Sequence, residues 1–242
     1  LLPRAYNRSV KKLSPRALTA LCNLALAFIV LVIGAVCFLP SSAAVSAPAG
    51  KVYDRGTKSA VSLTINVYWG TDIVEKMLDL FRERGVRVTF FVGGCWADDN
   101  VPTVKRMAEE GHEVGSHGYF HREHDKLSLR ENVEEIGTSV EFLSLVTGKQ
   151  ISLFAPPSGA YSEDTLRAAE SLGLKTVLWS RDTIDWRDKD VALCYTRATK
   201  DVKGGELILM HPMEHTLKAL PKMLQYYEEQ GLAVIPAGEN IG

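Results

Sequence analysis

The feature that most constrains the fold of this 242-residue chain is a regular alternation of short apolar runs with amphipathic stretches. The runs, of which 61–67 and 86–92 are the longest, are rich in β-branched residues and are typical of buried strands. The intervening segments carry apolar residues at helical spacing and end at glycines such as Gly85. Strands that alternate with helices predict an α/β domain with a mainly parallel sheet over residues 58–242. The number of units favours a closed or nearly closed barrel, and an open sheet is the alternative.

The N-terminal part of the chain has a different composition. Residues 17–40 carry no charge and have only two clearly polar side chains, Thr19 and Asn23. A run of ~20 apolar residues is long enough to cross the ~30 Å hydrocarbon core of a bilayer. The preceding tail, residues 1–16, has five basic residues and no acidic one. The positive-inside rule therefore predicts a cytoplasmic tail, a single transmembrane helix and a domain outside the cytoplasm.

Residues 41–57 are predicted to be a linker, and its Ala-rich first part also suits a signal-peptide cleavage site. The apolar run at 17–40 is longer than the usual signal-peptide core, which favours an uncleaved membrane anchor. Cleavage would give a secreted domain instead, and a buried core helix is the third alternative. Both export alternatives place the domain in the same compartment.

The net charge of the domain limits the classes of molecule that it is expected to bind. Removing the five tail residues from the chain's 28 basic residues leaves 23 against 29 acidic ones, so residues 51–242 carry a net charge of −6. Nucleic-acid binding requires a basic surface. The domain is therefore not expected to bind nucleic acid.

Five polar clusters follow predicted strands, and in parallel sheets the carboxyl ends of the strands form the ligand site. In one cluster His117 and His121 lie four residues apart, a spacing at which two imidazoles can converge on one metal ion. Such a pair is a weak signal when taken alone. The neighbouring His112 and His124 are interpreted as surface residues.

A second cluster contains Asn66 and Asp72 at the end of the run 61–67. Both side chains are candidates for reaching the shared site. Asp72 has an alternative interpretation, because Asp72 together with Glu75 also makes a favourable helix N-terminus.

The other three clusters are a stiff turn, an acid–tryptophan segment and a histidine at a strand end. Pro157, Ser158 and Gly159 predict a loop of fixed shape. Trp186 and the acid Asp182 suit sugar binding or acid–base chemistry, and the alternative is a polar loop with core tryptophans. His211 follows four apolar residues, so a rigid strand would hold its imidazole as a general acid, with Asp182 as a partner that fixes the tautomer.

In order and spacing, these clusters resemble the five motifs of the polysaccharide deacetylase family, the NodB-homology domain of carbohydrate esterase family four. The resemblance covers roughly residues 58–238 and is nearest to a sporulation-type branch. It implies a distorted (β/α) barrel in which an Asp-His-His site binds a divalent metal ion, often zinc. Metal-activated water then attacks the acetamide carbonyl of an N-acetylated sugar.

Carried over by position, the resemblance implies a role for each matching residue. His117 and His121 match the metal-binding histidines, His211 matches the general acid, and Asp182 matches the acid that orients it. Pro157, Ser158 and Gly159 match a groove-lining motif, and Trp186 matches a tryptophan near the acetyl pocket.

Two of the five motifs depart from the family pattern, at three positions in all. Asn66 and Val67 stand where the family has the base Asp and the metal-binding Asp, and Ala155 stands where an Arg holds the base. A neutral Asn needs no Arg counter-ion, so these losses are physically consistent with each other. Asn66 is still able to position a water molecule, and Asp72 is the nearest acid that can replace the missing metal ligand or base.

The sequence therefore predicts a metal-dependent hydrolase that removes N-acetyl groups from cell-wall or spore-wall glycan. The alternative is a catalytically weak glycan-binding or structural member of the same fold. A serine esterase is disfavoured because the chain contains no Gly-x-Ser-x-Gly motif.

Overall fold

The computed structural model describes residues 14–38 and 50–242, and the chain divides into two compact units, Leu1–Ala47 and Pro48–Gly242. The first unit contains helix α1 (Pro15–Phe38). Within residues 14–38 and 50–242, no helix has the length and apolar character needed to cross a membrane. The predicted transmembrane segment 17–40 extends beyond the described residues and stays a prediction. Residues 1–13 of the predicted tail and 39–49 of the predicted linker lie outside the described residues.

The second unit is built on a parallel sheet whose strands run in the order β1-β6-β5-β4-β3-β2-β8-β7, with β9 paired to β2. Every strand pair in residues 50–242 is parallel, and none of these pairs joins β1 to β7. The fold is thus an α/β half-barrel, open between β1 and β7, as the alternation of strands and helices predicts. The strands are β1 (Val52–Tyr53), β2 (Ala60–Val67), β3 (Thr89–Val92), β4 (Glu113–Ser116), β5 (Leu153–Phe154), β6 (Lys175–Val177), β7 (Arg181–Asp182), β8 (Leu207–Met210) and β9 (Ala233–Val234).

Helices cover the outside of the sheet, and their ends follow local sequence signals. Ser128 and Glu131 form a capping box at the start of α5, and Gly85 in the left-handed region ends α2. The helices are α2 (Thr71–Arg84), α3 (Gly94–Asp99), α4 (Val101–Glu109), α5 (Leu129–Thr147), α6 (Glu163–Ser171), α7 (Asp185–Asp188), α8 (Val191–Thr199), α9 (Glu214–Glu229) and α10 (Ala237–Ile241). Two short 3₁₀ turns, His124–Lys126 and Pro157–Gly159, lie in the loops.

Strand β2 lies at the centre of the core. All eight of its residues are buried, and it pairs with β3, β8 and β9. Apolar residues that pack in the hydrophobic core alternate along it with the polar Ser62, Thr64 and Asn66. Asn66, its second-last residue, is therefore held on a fully buried strand.

Two sequence-based expectations about this unit are wrong. Strand β1 lies inside the predicted linker 41–57 and pairs with β6, so the folded unit begins before residue 58. His112 and His124 are buried and not at the surface: the His112 ring packs against two phenylalanines, and the His124 ring packs against Phe154. Both histidines lie among charged neighbours in the sequence, and that polarity concealed their contacts with the core.

Candidate active site

The five polar clusters meet in one cavity of about 440 Å³ at the carboxyl ends of the strands. We call it the site cavity. Each cluster contributes at least one side chain, as the sheet topology requires when all strands run parallel. The residues that line it are Asn66, Trp69, His117, His121, Ser158, Trp179, Asp182, Trp186, Leu209 and His211.

His211 is held on one side of the cavity by a buried carboxylate. It follows β8 directly, and its Nδ1 donates to Asp185 Oδ1 over 2.8 Å while its backbone N–H donates to Asp185 Oδ2 over 2.7 Å. The Thr216 hydroxyl donates a third hydrogen bond to Asp185, over 2.6 Å. With Nδ1 occupied as a donor, Nε2 is the ring nitrogen left for a ligand in the cavity. This is the oriented base–acid arrangement that proton-transfer enzymes use.

Asp185 remains ionised although its side chain is fully buried. Burial acts to raise the pKa of this carboxyl, but the hydrogen bonds from His211 and Thr216 outweigh it and hold the pKa below its ordinary value. A buried charge is tolerated here because its hydrogen bonds come from donors held at the end of β8 and in α9. The carboxylate therefore orients His211 as a fixed part of the fold.

The acid expected from the sequence, Asp182, does not hold His211. Its carboxylate instead accepts a hydrogen bond from the backbone N–H of Ile184 over 2.7 Å, and it lines the cavity. The sequence-based assignment of Asp182 as the partner of His211 is wrong, and Asp185 has that role. The signal that pointed to Asp185 was its position directly before Trp186 in the same cluster.

His117 and His121 lie together in the cavity, with ring centroids 5.0 Å apart and planes at 70°. His117 Nδ1 donates to the backbone carbonyl of Ala155 over 2.7 Å, which leaves Nε2 as the free ring nitrogen. Burial lowers the pKa of His117 to about 3, and burial also lowers the pKa of His121. Both imidazoles are neutral at physiological pH, the form in which histidine binds metal ions.

The loop that joins these two histidines is held in place by a buried carboxylate and by the packing of the His121 ring. His121 adopts a left-handed conformation, φ 56°, and its ring packs on Tyr68. The buried carboxylate of Glu135 accepts the backbone N–H of Phe120 over 2.6 Å, next to His121. A left-handed histidine persists only when its surroundings determine it, as they do here.

Asn66 contributes a neutral amide to the cavity. It is only 5% exposed, and its buried Oδ1 has no hydrogen-bond partner among the described residues. An unpaired buried carbonyl oxygen costs about 1–3 kcal/mol, and such atoms gather at functional sites. Val67, the next residue, is fully buried in the hydrophobic core and places hydrocarbon at the family's metal-ligand position.

Asp72 is not brought into the site. It is exposed in the first turn of α2 and does not line the cavity. Among the described residues, no group of three or more His, Cys, Asp or Glu side chains is placed to hold a metal ion. The prediction that Asp72 replaces the missing metal ligand is therefore wrong, and its negative charge stabilises the helix N-terminus instead.

The loop after β5 reaches the cavity through one residue of the predicted three. Ser158 lines the cavity, Pro157 is buried beneath it, and Gly159 packs against Trp179. A Cβ at Gly159, which has φ +67°, would lie 2.8 Å from the Trp179 ring. This glycine is therefore needed both for the turn and for the close approach of Trp179.

Trp69 covers His211 in a contact that the sequence did not predict. The two rings stack with planes 6° apart and centroids 5.7 Å apart. Gly70, at φ +80°, lies so close to Pro212 that a Cβ would be 2.8 Å from the Pro212 carbonyl oxygen. The Trp-Gly and His-Pro pairs, far apart in the sequence, are thus packed against each other.

With this geometry established, comparisons with known proteins identify the domain. Residues 53–177, about half of the chain, match the family model for polysaccharide deacetylase. The chain belongs to the polysaccharide deacetylase family. Proteins similar to this chain include YlxY of Bacillus subtilis, 34% identical over 177 residues that cover 73% of this chain and 56% of YlxY. The peptidoglycan-N-acetylglucosamine deacetylase PgdA of Listeria monocytogenes is 30% identical over 206 residues, which cover 85% of this chain and 43% of PgdA.

A solved structure of the family is similar over most of the domain. BA3943 of Bacillus anthracis, described as a CE4 family pseudoenzyme, matches with a TM-score of 0.77 and 30% identity over 79% of this chain and 69% of that one. A mutant of BA3943 with restored enzymatic activity matches with the same TM-score. Other relatives and structural neighbours include peptidoglycan deacetylases. This polysaccharide deacetylase family chain spans about half the length of YlxY and PgdA.

Proposed function

We propose that the domain removes N-acetyl groups from a wall polysaccharide, peptidoglycan or a chitin-like glycan, in a reaction that uses a divalent metal ion, zinc in the first instance. The observation that carries this proposal is that two functional pairs of side chains lie at one cavity. One is the neutral pair His117 and His121, and the other is the Asp185–His211 pair. The peptidoglycan deacetylases among the relatives support the same substrate class.

The two imidazoles suit two positions of a zinc site. His117 donates its other ring nitrogen to a backbone carbonyl, the arrangement that commonly orients a metal-binding histidine. Neither Val67 nor Asp72 supplies the carboxylate that the family pattern adds. His117 and His121 would hold the ion, and the ion would supply an activated water and polarise the acetamide carbonyl.

Protein side chains handle the proton on the leaving group. Asp185 accepts from Nδ1 of His211, so Nε2 is the ring nitrogen that would take up the proton released by the attacking water and pass it to the departing amine. Asn66 accepts no proton, and its amide can only hydrogen-bond a water or the acetamide. Loss of a general base typically lowers a rate by ~10²–10⁴, so we propose a slow enzyme.

The second candidate function is glycan binding without catalysis. The neutral Asn66, the buried Val67 and the exposed Asp72 favour it, because together they leave the histidine pair without a carboxylate. The 30% identity to a pseudoenzyme of the same fold also supports it. Both candidates use the same cavity and the same class of ligand.

Acetate release separates the two candidates. We would incubate the purified chain with N-acetylglucosamine oligomers and with peptidoglycan fragments, with added zinc or with chelator, and compare His117→Ala and His211→Ala. Zinc-dependent release that both substitutions abolish supports the deacetylase. Oligomer binding without release under any condition would rule out the deacetylase in favour of the binding module.

We also propose that the domain acts outside the cytoplasm, where a wall glycan is accessible. The basic residues before the apolar segment 17–40 support export, either with a retained N-terminal anchor or after cleavage. Protease added to intact, wall-stripped cells tests this proposal. Degradation of the domain while a cytoplasmic marker stays intact supports it, and protection of the domain under the same conditions contradicts it.

A further inference from the structure

Tryptophan is concentrated at the site cavity. Of the four tryptophans in the chain, Trp69, Trp179 and Trp186 line the cavity, and the fourth, Trp96, is buried in the core. Trp69 is 41% exposed and Trp186 is 51% exposed. Large apolar rings that stay in contact with solvent beside a concave cavity mark a surface on which a ligand is bound.

Trp69 is held rigidly in this exposed position. The stack on His211 supports its ring, and the close contact of Gly70 with Pro212 fixes the backbone that follows. A ring that is already ordered loses little side-chain entropy when it binds a ligand. The exposed surface of Trp69 is therefore a preorganised platform next to the proton-donating histidine.

The lining of the cavity indicates which chemical class of ligand fits this platform. Asp182 is its one carboxylate, and no Lys or Arg lines it, so its side chains offer no permanent positive charge to a phosphate-bearing ligand such as a nucleotide. Sugar rings are neutral and present faces of C–H groups that bear a slight positive charge. Such faces pack on the negative π face of an indole, while the hydroxyl groups remain in water.

We propose that Trp69 is a sugar-binding platform that, together with Trp186, binds a pyranose ring of an oligosaccharide at the site cavity. This inference rests on the glycan ligand of the proposed function but not on catalysis. It extends recognition from the acetamide to the sugar ring itself. It also makes Trp69 a specificity-determining residue that favours a polymeric substrate over a small acetamide.

Binding of an N-acetylglucosamine tetramer to the full chain, measured by calorimetry, tests the platform. Trp69→Ala is expected to weaken the affinity ~10-fold, and Trp69→Phe, which keeps a π face, less than that. Leu145→Ala is the matched control, because Leu145 is 81% exposed on α5 and does not line the cavity. Thermal unfolding of each variant establishes whether it is folded. If Trp69→Ala does not fold, the test rests on Trp69→Phe.

The outcomes separate this inference from the proposed function. If the wild type binds the tetramer and both Trp69 variants bind it equally well, the platform is wrong while the glycan ligand stands. If the wild type does not bind the tetramer and releases acetate neither from it nor from peptidoglycan fragments, the platform and the proposed function both fail. An affinity lost in Trp69→Ala, partly kept in Trp69→Phe and unchanged in Leu145→Ala supports the platform.

Discussion

At the scale of single residues, the site depends on which acid faces His211. Asp182 and Asp185 are three residues apart, and a sequence pattern does not distinguish them. Ile184, between them, adopts a left-handed conformation with φ 50°, which reverses the local direction of the chain. The turn sends the Asp185 carboxylate inward to His211 and leaves Asp182 to accept the Ile184 N–H.

Asparagine substitutions at these two acids should therefore have unequal effects. Asp185→Asn removes a buried charge that accepts three hydrogen bonds, and we expect a loss of about 2–4 kcal/mol in the free energy of unfolding. Asp182→Asn should cost less than about 1 kcal/mol, because an amide oxygen still accepts the Ile184 N–H. Urea unfolding of both variants measures the difference. Equal losses would contradict the assignment of Asp185.

Asn66 allows a test in the direction of gained activity. Asn66→Asp places a carboxylate on the end of β2, within the cavity, where it is able to accept a proton from water. We expect acetate release from N-acetylglucosamine oligomers to rise at least ~10-fold in the presence of zinc. Asn66→Ala is the matched control, since it removes the amide and adds no base. A rate that stays the same in Asn66→Asp would show that the base position does not limit the reaction.

The sequence predicted the residues that follow long strands better than those that depend on a turn. His117, His211 and Asn66 lie in the cavity as expected, because each lies at the carboxyl end of a predicted strand. The sequence misplaced Asp72 because this residue lies six positions after Asn66 and already belongs to the next element, helix α2. Metal ligation by the histidines stays a prediction.

At the scale of elements, helix α2 links the site to the rest of the fold through its two terminal glycines. Gly70 and Gly85 both have positive φ, +80° and +64°. A Cβ at Gly85 would meet nothing within 4 Å, whereas one at Gly70 would meet the backbone of Pro212. The start of α2 is therefore constrained by the strand-end loop after β8, and its end is constrained only by its own turn.

Alanine at each glycine separates these two constraints. Gly85→Ala should cost about 1 kcal/mol of stability, the price of a left-handed Ala. Gly70→Ala should cost about 2–3 kcal/mol, because it adds a clash with a backbone oxygen, and it should also weaken oligosaccharide binding by displacing Trp69. Thermal unfolding and tetramer binding of both variants provide the measurements. Binding that falls equally in both variants would indicate a general loss of folding.

The elements themselves were predictable where they are long. The segments 61–67 and 207–210 are strands, and the amphipathic segments that end at glycines are helices. In both cases the hydrophobic periodicity agrees with the residues that end the segment. The two-residue strand β1 gave no periodic signal, because two residues have no period. Its pairing with β6 is set by the sheet and not by its own sequence.

At the scale of the whole molecule, three buried histidines link stability to pH. Burial lowers the pKa of His112 to about 4, of His124 to about 4 and of His117 to about 3, against an ordinary value of 6.5. Below pH 6.5 the unfolded chain therefore binds protons that the folded chain excludes. Stability must fall as the pH is lowered from 6.5 towards 4, by about 1.4 kcal/mol per pH unit for each such histidine.

His112 is the one of the three that lies away from the site, and it allows this linkage to be measured. Its Nδ1 accepts the Val88 N–H over 3.2 Å, and its ring packs between Phe81 and Phe90. In His112→Asn an amide keeps an acceptor at this position but does not titrate, so the variant should be less stable at pH 7.5 because of the lost ring contacts. Between pH 6.5 and 4.5, however, its stability should fall less steeply than that of the wild type, by about 1.4 kcal/mol per pH unit. Urea unfolding at half-unit intervals gives both slopes, with the interval above pH 7 as the internal control. Parallel curves for the two proteins throughout the acidic range would mean that His112 is not held neutral by the folded core.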